Sequence, residues 1–183
     1  MTRSILALIP ALCLLGSGCS NEEEEHEGHE DVILEGDVTD ETMVGLANAL
    51  EAGDPVASSA KAPTLDSPTE GASLPAGTIP TFTWHVGAST LAARPAPGAT
   101  EPMHGDPYSG YATFLEFMVG TEAAVEVLTS ELSWTPTDEA WDALVAAGQP
   151  ITLTLVGAEF EQDRVIQDGG PYAGSTIEFE VTP

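Results

Sequence analysis

Apolar and polar residues alternate through much of the C-terminal two-thirds of the chain. From Thr81 to Val86 the order Thr-Phe-Thr-Trp-His-Val puts Phe82, Trp84 and Val86 on one face of a strand, because side chains two apart point the same way. Ile151 to Phe160 opens on the same rhythm, with Ile151, Leu153 and Leu155 opposite Thr152 and Thr154. Ser175 to Val181 repeats it with Ile177, Phe179 and Val181. Tyr111 to Val119 (YATFLEFMV) is apolar on both faces, which predicts a strand in the middle of its sheet. Ala123–Leu128 and Arg164–Gln167 read as shorter strands. Turn signals separate them: Pro75-Ala-Gly77, Gly105-Asp-Pro107, Gly148-Gln-Pro150 and Asp168-Gly-Gly-Pro171.

Two segments show helical spacing instead. Thr135 is placed to cap a helix with Pro136 in its first turn, Asp138 and Glu139 at its positive end, and Gly148 as its stop. Trp141, Leu144 and Val145 form its apolar face. Earlier, Asp40 can cap a helix over residues 41–52, with Met43, Leu46, Ala47 and Leu50 on one face and Gly53 beyond its end. Gly45 weakens that helix. Its stripe predicts docking on the protein's own sheet, or else on a partner.

The first residues carry a different pattern. Arg3 precedes the apolar run Ile5 to Leu15, which is shorter than the roughly 20 residues needed to cross a bilayer as a helix. A short positive start and a short apolar run are the marks of a secretory signal. The run closes on Leu15-Gly16-Ser17-Gly18-Cys19. This resembles the lipobox of bacterial lipoproteins, with Gly16 where that motif usually has Leu. The resemblance implies that residues 1–18 are a signal peptide and that Cys19 carries a diacylglyceryl and acyl lipid. Two or more acyl chains give stable attachment. Ser20, where an Asp would retain such a lipoprotein in the inner membrane, implies a lipid-anchored protein of the cell envelope, at the outer membrane.

Residues 19–62 then read as a lipidated, disordered acidic tether with the short helix 41–52 inside it. Asn21 to Asp31 (NEEEEHEGHED) is nearly devoid of apolar side chains, and residues 52–63 are rich in Ala, Ser and Pro. Residues 63–183 remain as a single folded domain.

Composition sharpens the picture. There are 30 acidic residues against 4 Lys plus Arg, a formal net charge of −26. Such a polyanion repels phosphate, which excludes nucleic acid as a partner, and repels anionic headgroups, so membrane attachment has to be covalent or hydrophobic. It attracts basic partners. Of the 2 cysteines, Cys13 lies in the leader, so the processed chain keeps only Cys19 and has no internal disulfide.

The domain resembles fibronectin type III and immunoglobulin-like domains of bacterial surface proteins. The likeness is carried by Asp66-Ser-Pro68, Phe82-Thr-Trp84, Leu128-Thr-Ser130 and Trp134-Thr-Pro136 ahead of Ala147-Gly148 and Ile151-Thr-Leu-Thr-Leu-Val156. It implies an all-β, two-sheet sandwich, here with one short crossover helix and a long insert over residues 87–110. Such folds host many functions, so the likeness bears on architecture alone.

Chemistry is sparse. No GxSxG elbow and no phosphate-binding glycine loop occurs, and no catalytic residues are assigned. His26-Glu-Gly-His-Glu30 is one residue short of a zinc-protease HExxH. His26 and His29, flanked by carboxylates, could instead hold a divalent metal loosely. A further metal candidate joins His85 and His104, with Met103 and Met118 as soft neighbours. Trp134, Trp141 and Tyr172 are candidates for a sugar-stacking face. No cofactor is expected beyond the lipid on Cys19 and loosely held metal. The sequence therefore favours a non-enzymatic, membrane-anchored module that binds an envelope protein or polysaccharide. A periplasmic or surface metal-binding protein using the His/Glu tail is the alternative.

Overall fold

A computed structural model describes residues 32–87, 106–148 and 150–183. Cys19, the His26/His29 tail and His104 lie outside them. In chain order the elements are β1 (Val32–Glu35), α1 (Asp40–Ala52), β2 (Val56–Ala57), β3 (Pro63–Ser67), β4 (Ser73–Pro75), β5 (Phe82–Val86) and β6 (Gly110–Val119). There follow β7 (Glu122–Thr129), β8 (Ser133–Trp134), α2 (Asp138–Ala147), β9 (Ile151–Glu161), β10 (Arg164–Val165) and β11 (Tyr172–Thr182).

The strands form two sheets. The larger runs β1-β7-β6-β9-β11-β2, with β10 also on β9 and β4 also on β11. The smaller runs β3-β5-β8. The long strands β6, β7, β9 and β11 are paired antiparallel, whereas β1 lies parallel to β7, and β2 and β4 lie parallel to β11. Where β11 bulges between Ala173 and Thr176, the Ser175 hydroxyl accepts a 2.9 Å hydrogen bond from the Leu65 amide and ties the edge of the small sheet to the large one.

The alternation seen in the sequence decides what each face buries. Leu115, Phe117, Val127, Ile151, Leu153, Leu155 and Phe179 point from the large sheet into a core completed by Phe82, Trp84 and Trp134 of the small sheet. The Trp84 indole N–H donates to the buried Thr113 hydroxyl at 3.1 Å, so this buried polar pair between the two sheets is satisfied. The short strands do not cover the whole face. Trp141 and Leu144 of α2 close the remainder, and the Trp141 indole N–H donates to the Ala76 carbonyl at 2.9 Å.

The opposite face of the large sheet is also apolar. Ala112, Phe114, Leu128, Ala158 and Phe160 form a second core with Val38, Met43 and Leu46 from the α1 region and with Tyr108. Here the structure departs from the sequence reading, which begins the folded domain at Pro63. Residues 32–57 supply β1, α1 and β2 to the same body. The physical reason is nonlocal: Val32, Ile33 and Leu34 pair with Glu126, Val127 and Leu128, and α1 covers an apolar face that would otherwise meet water. The Met43–Leu50 stripe docks on the protein's own sheet.

Both helix starts also differ from expectation. Thr39, not Asp40, caps α1. Its hydroxyl accepts from the Thr42 amide at 3.1 Å, while the Thr42 hydroxyl accepts from the Thr39 amide at 3.0 Å, a reciprocal capping box. Thr137, not Thr135, caps α2, accepting from the Ala140 amide at 3.2 Å, and Gly148 ends it in the left-handed region with φ 59. Gly45 has a positive role. A Cβ there would collide with the Asp163 carbonyl oxygen at the tip of the β9–β10 hairpin, so the glycine lets the helix approach the turn.

If α1 is part of the core, Leu46→Ala, at a side chain only 1 % exposed, is expected to cost about 3 kcal/mol and lower Tm by about 10 °C. Val44→Ala, at a side chain 43 % exposed on the same helix, is expected to change Tm by about 2 °C or less. Thermal unfolding followed by circular dichroism checks both, and equal effects would contradict the docking.

Candidate functional site

Of the residues singled out for chemistry, only part falls within the described structure. His85 sits on the exposed outer side of β5, with Nδ1 2.8 Å from Asp66 Oδ1 on β3. Met118 lies on the large sheet next to the inward-facing Phe117 and points away from the shared core. The core therefore separates His85 from Met118, and the structure does not bring them together. Among the described residues no group of three or more His, Cys, Asp or Glu side chains is arranged to hold a metal ion. Trp134, Trp141 and Tyr172 are 2 %, 2 % and 5 % exposed, so they pack inside the protein rather than form a sugar-stacking face.

Two polar clusters stand out, and sequence reading noticed neither. The first surrounds Asp163. Gln162 and Asp163 both have positive φ, 51 and 63, the backbone of a tight two-residue hairpin between β9 and β10. The turn aims the Asp163 carboxylate at the start of α1. Its Oδ1 accepts from the Thr42 hydroxyl at 2.7 Å, the Thr39 hydroxyl at 2.9 Å and the Tyr108 amide at 2.9 Å. Burial alone would raise its pKa. The donors from Thr42, Tyr108 and Thr39 outweigh burial and hold the carboxyl below its ordinary value. A carboxylate at a helix N-terminus is also favoured by the helix dipole. This is a clasp that fastens α1 to the sheet.

The second cluster surrounds Lys61, just before β3. Its ammonium lies 3.3 Å from Glu159 Oε1, donates to the Asp168 carbonyl at 3.1 Å and sits 5.3 Å from the centre of the Tyr172 ring. The Tyr111 hydroxyl donates to the Lys61 carbonyl at 2.6 Å, and the Tyr172 hydroxyl donates to the Asp168 carbonyl. Tyr172 and Glu159 keep the ammonium protonated above its usual range, and burial raises the Tyr111 phenol well above the ordinary tyrosine value. Neither group is poised to transfer a proton or attack near neutral pH, since both hold their protons more firmly than usual. The cluster pins the segment entering β3 against β9 and β11.

A third feature is a hollow rather than a cluster. Ile33 of β1, Ala124 and Val125 of β7, and Thr137, Ala140 and Ala143 around α2 line an open groove of about 350 Å³. Its floor is apolar because Ile33, Val125 and Ala140 face the space between sheet and helix, where the small residues of α2 leave room. The elements around it carry Glu35, Glu122, Glu126, Asp138, Glu139 and Asp142 and no lysine or arginine. A larger hollow of about 540 Å³ lies beside the β9–β10 hairpin, walled by Glu161, Gln162, Arg164 and Gln167 with Val165 and Ile166. Its walls are mostly long polar side chains, which give an apolar ligand little to hold.

No protein-family model, curated protein or solved structure matches this chain. The groove and the two clasps therefore carry the functional reading by their own chemistry.

The Asp163 clasp has a pH signature. Its folded pKa lies below the ordinary aspartate value of 3.8, so its contribution is fully present above that value and is lost as pH falls through the lower, folded value. Asp163→Asn is expected to lower Tm at pH 6, and the gap from the parent protein is expected to close progressively below about pH 4. Melting curves from pH 6 down to about pH 2 check it, and a gap that widens on acidification would contradict the assignment.

Proposed function

We propose that this chain is a lipid-anchored protein of the bacterial envelope with no enzymatic activity of its own. Cys19 holds it at the outer membrane, and its immunoglobulin-like β-sandwich binds a protein or polymer partner. The observation that carries the binding half is the open groove between β1, β7 and α2. Ala124 and Ala143 are exposed there and Ile33 is half-buried, apolar surface at a concave place gains by covering, and grooves of this kind mark interaction sites. The lipobox-like Gly16-Ser17-Gly18-Cys19 and the short apolar leader support the anchor. No helix of the described residues is long and apolar enough to cross a membrane. The polar clusters hold elements in place instead of presenting a nucleophile or base, and this favours a module that binds over one that reacts.

Cell fractionation tests the anchor. The parent protein is expected to sediment with membranes after a high-salt wash, and Cys19→Ser is expected to move it to the soluble fraction. A Cys19→Ser protein that still sediments would contradict lipid anchoring. Photo-crosslinkers placed around the surface in intact cells test the binding half, which fails if no position yields a discrete adduct.

A further inference from the structure

The groove lies beside the edge of the large sheet. β1 is the last strand on that side, and among the described residues β7 is its one strand neighbour. It is four residues long. A sheet edge offers a row of backbone donors and acceptors to a further strand. Alternate side chains of an added strand would point to opposite faces, and on one of them Ile33 and the groove await. Hydrogen bonding and an apolar seat thus occur at one place, as in recognition by strand addition.

Charge says which strand fits. Glu35 ends β1, Glu122 and Glu126 lie along β7, and Glu139 lines the groove from α2. Among the described residues the cations are Lys61 and Arg164, which sit in the segment before β3 and in β10, away from β1, β7 and α2. The chain as a whole carries a formal charge of −26, so a second copy would be repelled. Its own acidic stretch Asn21–Asp31 would be repelled for the same reason. A cationic occupant is attracted.

Resting on the reading of this protein as a binding module, we propose that β1 and the neighbouring groove form a strand-addition site for an extended, basic segment of another protein. In that segment apolar residues alternate with lysine or arginine. The partner's backbone pairs with β1, its apolar side chains enter the groove over Ile33 and Val125, and its cations, on the opposite face of the added strand, lie on the same side as Glu126 of β7 in the field of a strongly acidic chain.

The test uses the full chain in neutral detergent and a labelled peptide of alternating valine and lysine, followed by fluorescence anisotropy. The controls are a valine–glutamate peptide and a peptide with the same valine and lysine content in helical order. The valine–lysine strand is expected to bind, to weaken with salt, and to protect the Val32 and Leu34 amides, which face away from β7, from hydrogen exchange. Ala143→Arg and Ala124→Arg each fill the groove and add a positive charge, and each is expected to weaken binding at least about tenfold. Ser58→Arg changes the net charge equally but lies outside the groove, and it is expected to weaken binding less than about threefold. Two arginine positions, one on the helix and one on an exposed strand residue, are used so that a folding defect in one leaves the other informative.

Equal loss in Ser58→Arg would reduce the effect to bulk charge and overturn the site. Equal binding of the helically ordered peptide, or unprotected β1 amides, would overturn strand addition. Absence of binding by the valine–lysine strand would sink this proposal and leave the envelope-module reading standing if surface crosslinks form elsewhere. That reading fails separately, on the Cys19→Ser fractionation.

Discussion

The structure depends on one sheet that is apolar on both sides. In β6, Leu115 and Phe117 face one way and Ala112 and Phe114 the other. In β9, Ile151, Leu153 and Leu155 oppose Ala158 and Phe160. A strand of that kind cannot leave either face in water, since burying one large apolar side chain contributes roughly 1.5–3 kcal/mol. Two covers are therefore required. The three-stranded sheet with α2 supplies one, and α1 supplies the other. The shortness of the small sheet explains α2, which closes the part of the core that β3, β5 and β8 do not reach. The second apolar face explains why a helix so far from the long strands in sequence is drawn into the fold.

Polar chemistry follows the same logic. A chain with 30 acidic residues and 4 basic ones cannot balance its charge with ion pairs. Its carboxylates are instead satisfied locally where they matter. Asp163 takes three donors at the start of α1, and Glu159 meets Lys61 at the start of β3. Each clasp sits where a covering element joins the sheet. The remaining acidic residues keep the surface strongly negative, which raises solubility and biases association toward basic surfaces. The groove beside β1 combines that field with an apolar floor.

Much of this architecture is legible in the amino-acid order, and the exceptions are instructive. Phe82-Thr-Trp84-His-Val86 and Ile151-Thr-Leu153-Thr-Leu155 announce β5 and β9 because alternation is a local signal. The doubly apolar run in β6 announces a central strand for the same reason. Val32-Ile-Leu34 does not announce β1. Three apolar residues after an acidic stretch look like linker, and their partners at Glu126–Leu128 lie about half the chain away. The caps were displaced by a residue or two because Thr39 and Asp40, or Thr135 and Thr137, are equally good by composition. Only the backbone geometry selects Thr39 and Thr137. Gly45 reads as a flaw in a helix until the hairpin carbonyl it accommodates is seen. The groove has no sequence signature at all, its apolar part being made of alanines, an isoleucine and a valine contributed by three elements.

The groove exists because β1 is held in the sheet, and β1 is followed at once by α1 and its clasp. The account thus stands or falls on residues 32–52 belonging to the same cooperative unit as the long strands. Native-state hydrogen exchange measures this directly, since amides that open only with the whole fold report its global stability. The account predicts that the Leu46 amide in α1 and the Ile33 amide in β1, which faces β7, exchange with the same free energy as those of Leu153 and Leu155 in β9. Exchange of Ile33 and Leu46 at a free energy lower by about 3 kcal/mol or more, in the range of local opening, would contradict it. Residues 32–52 would then be an appendage resting on a fold that stands without them.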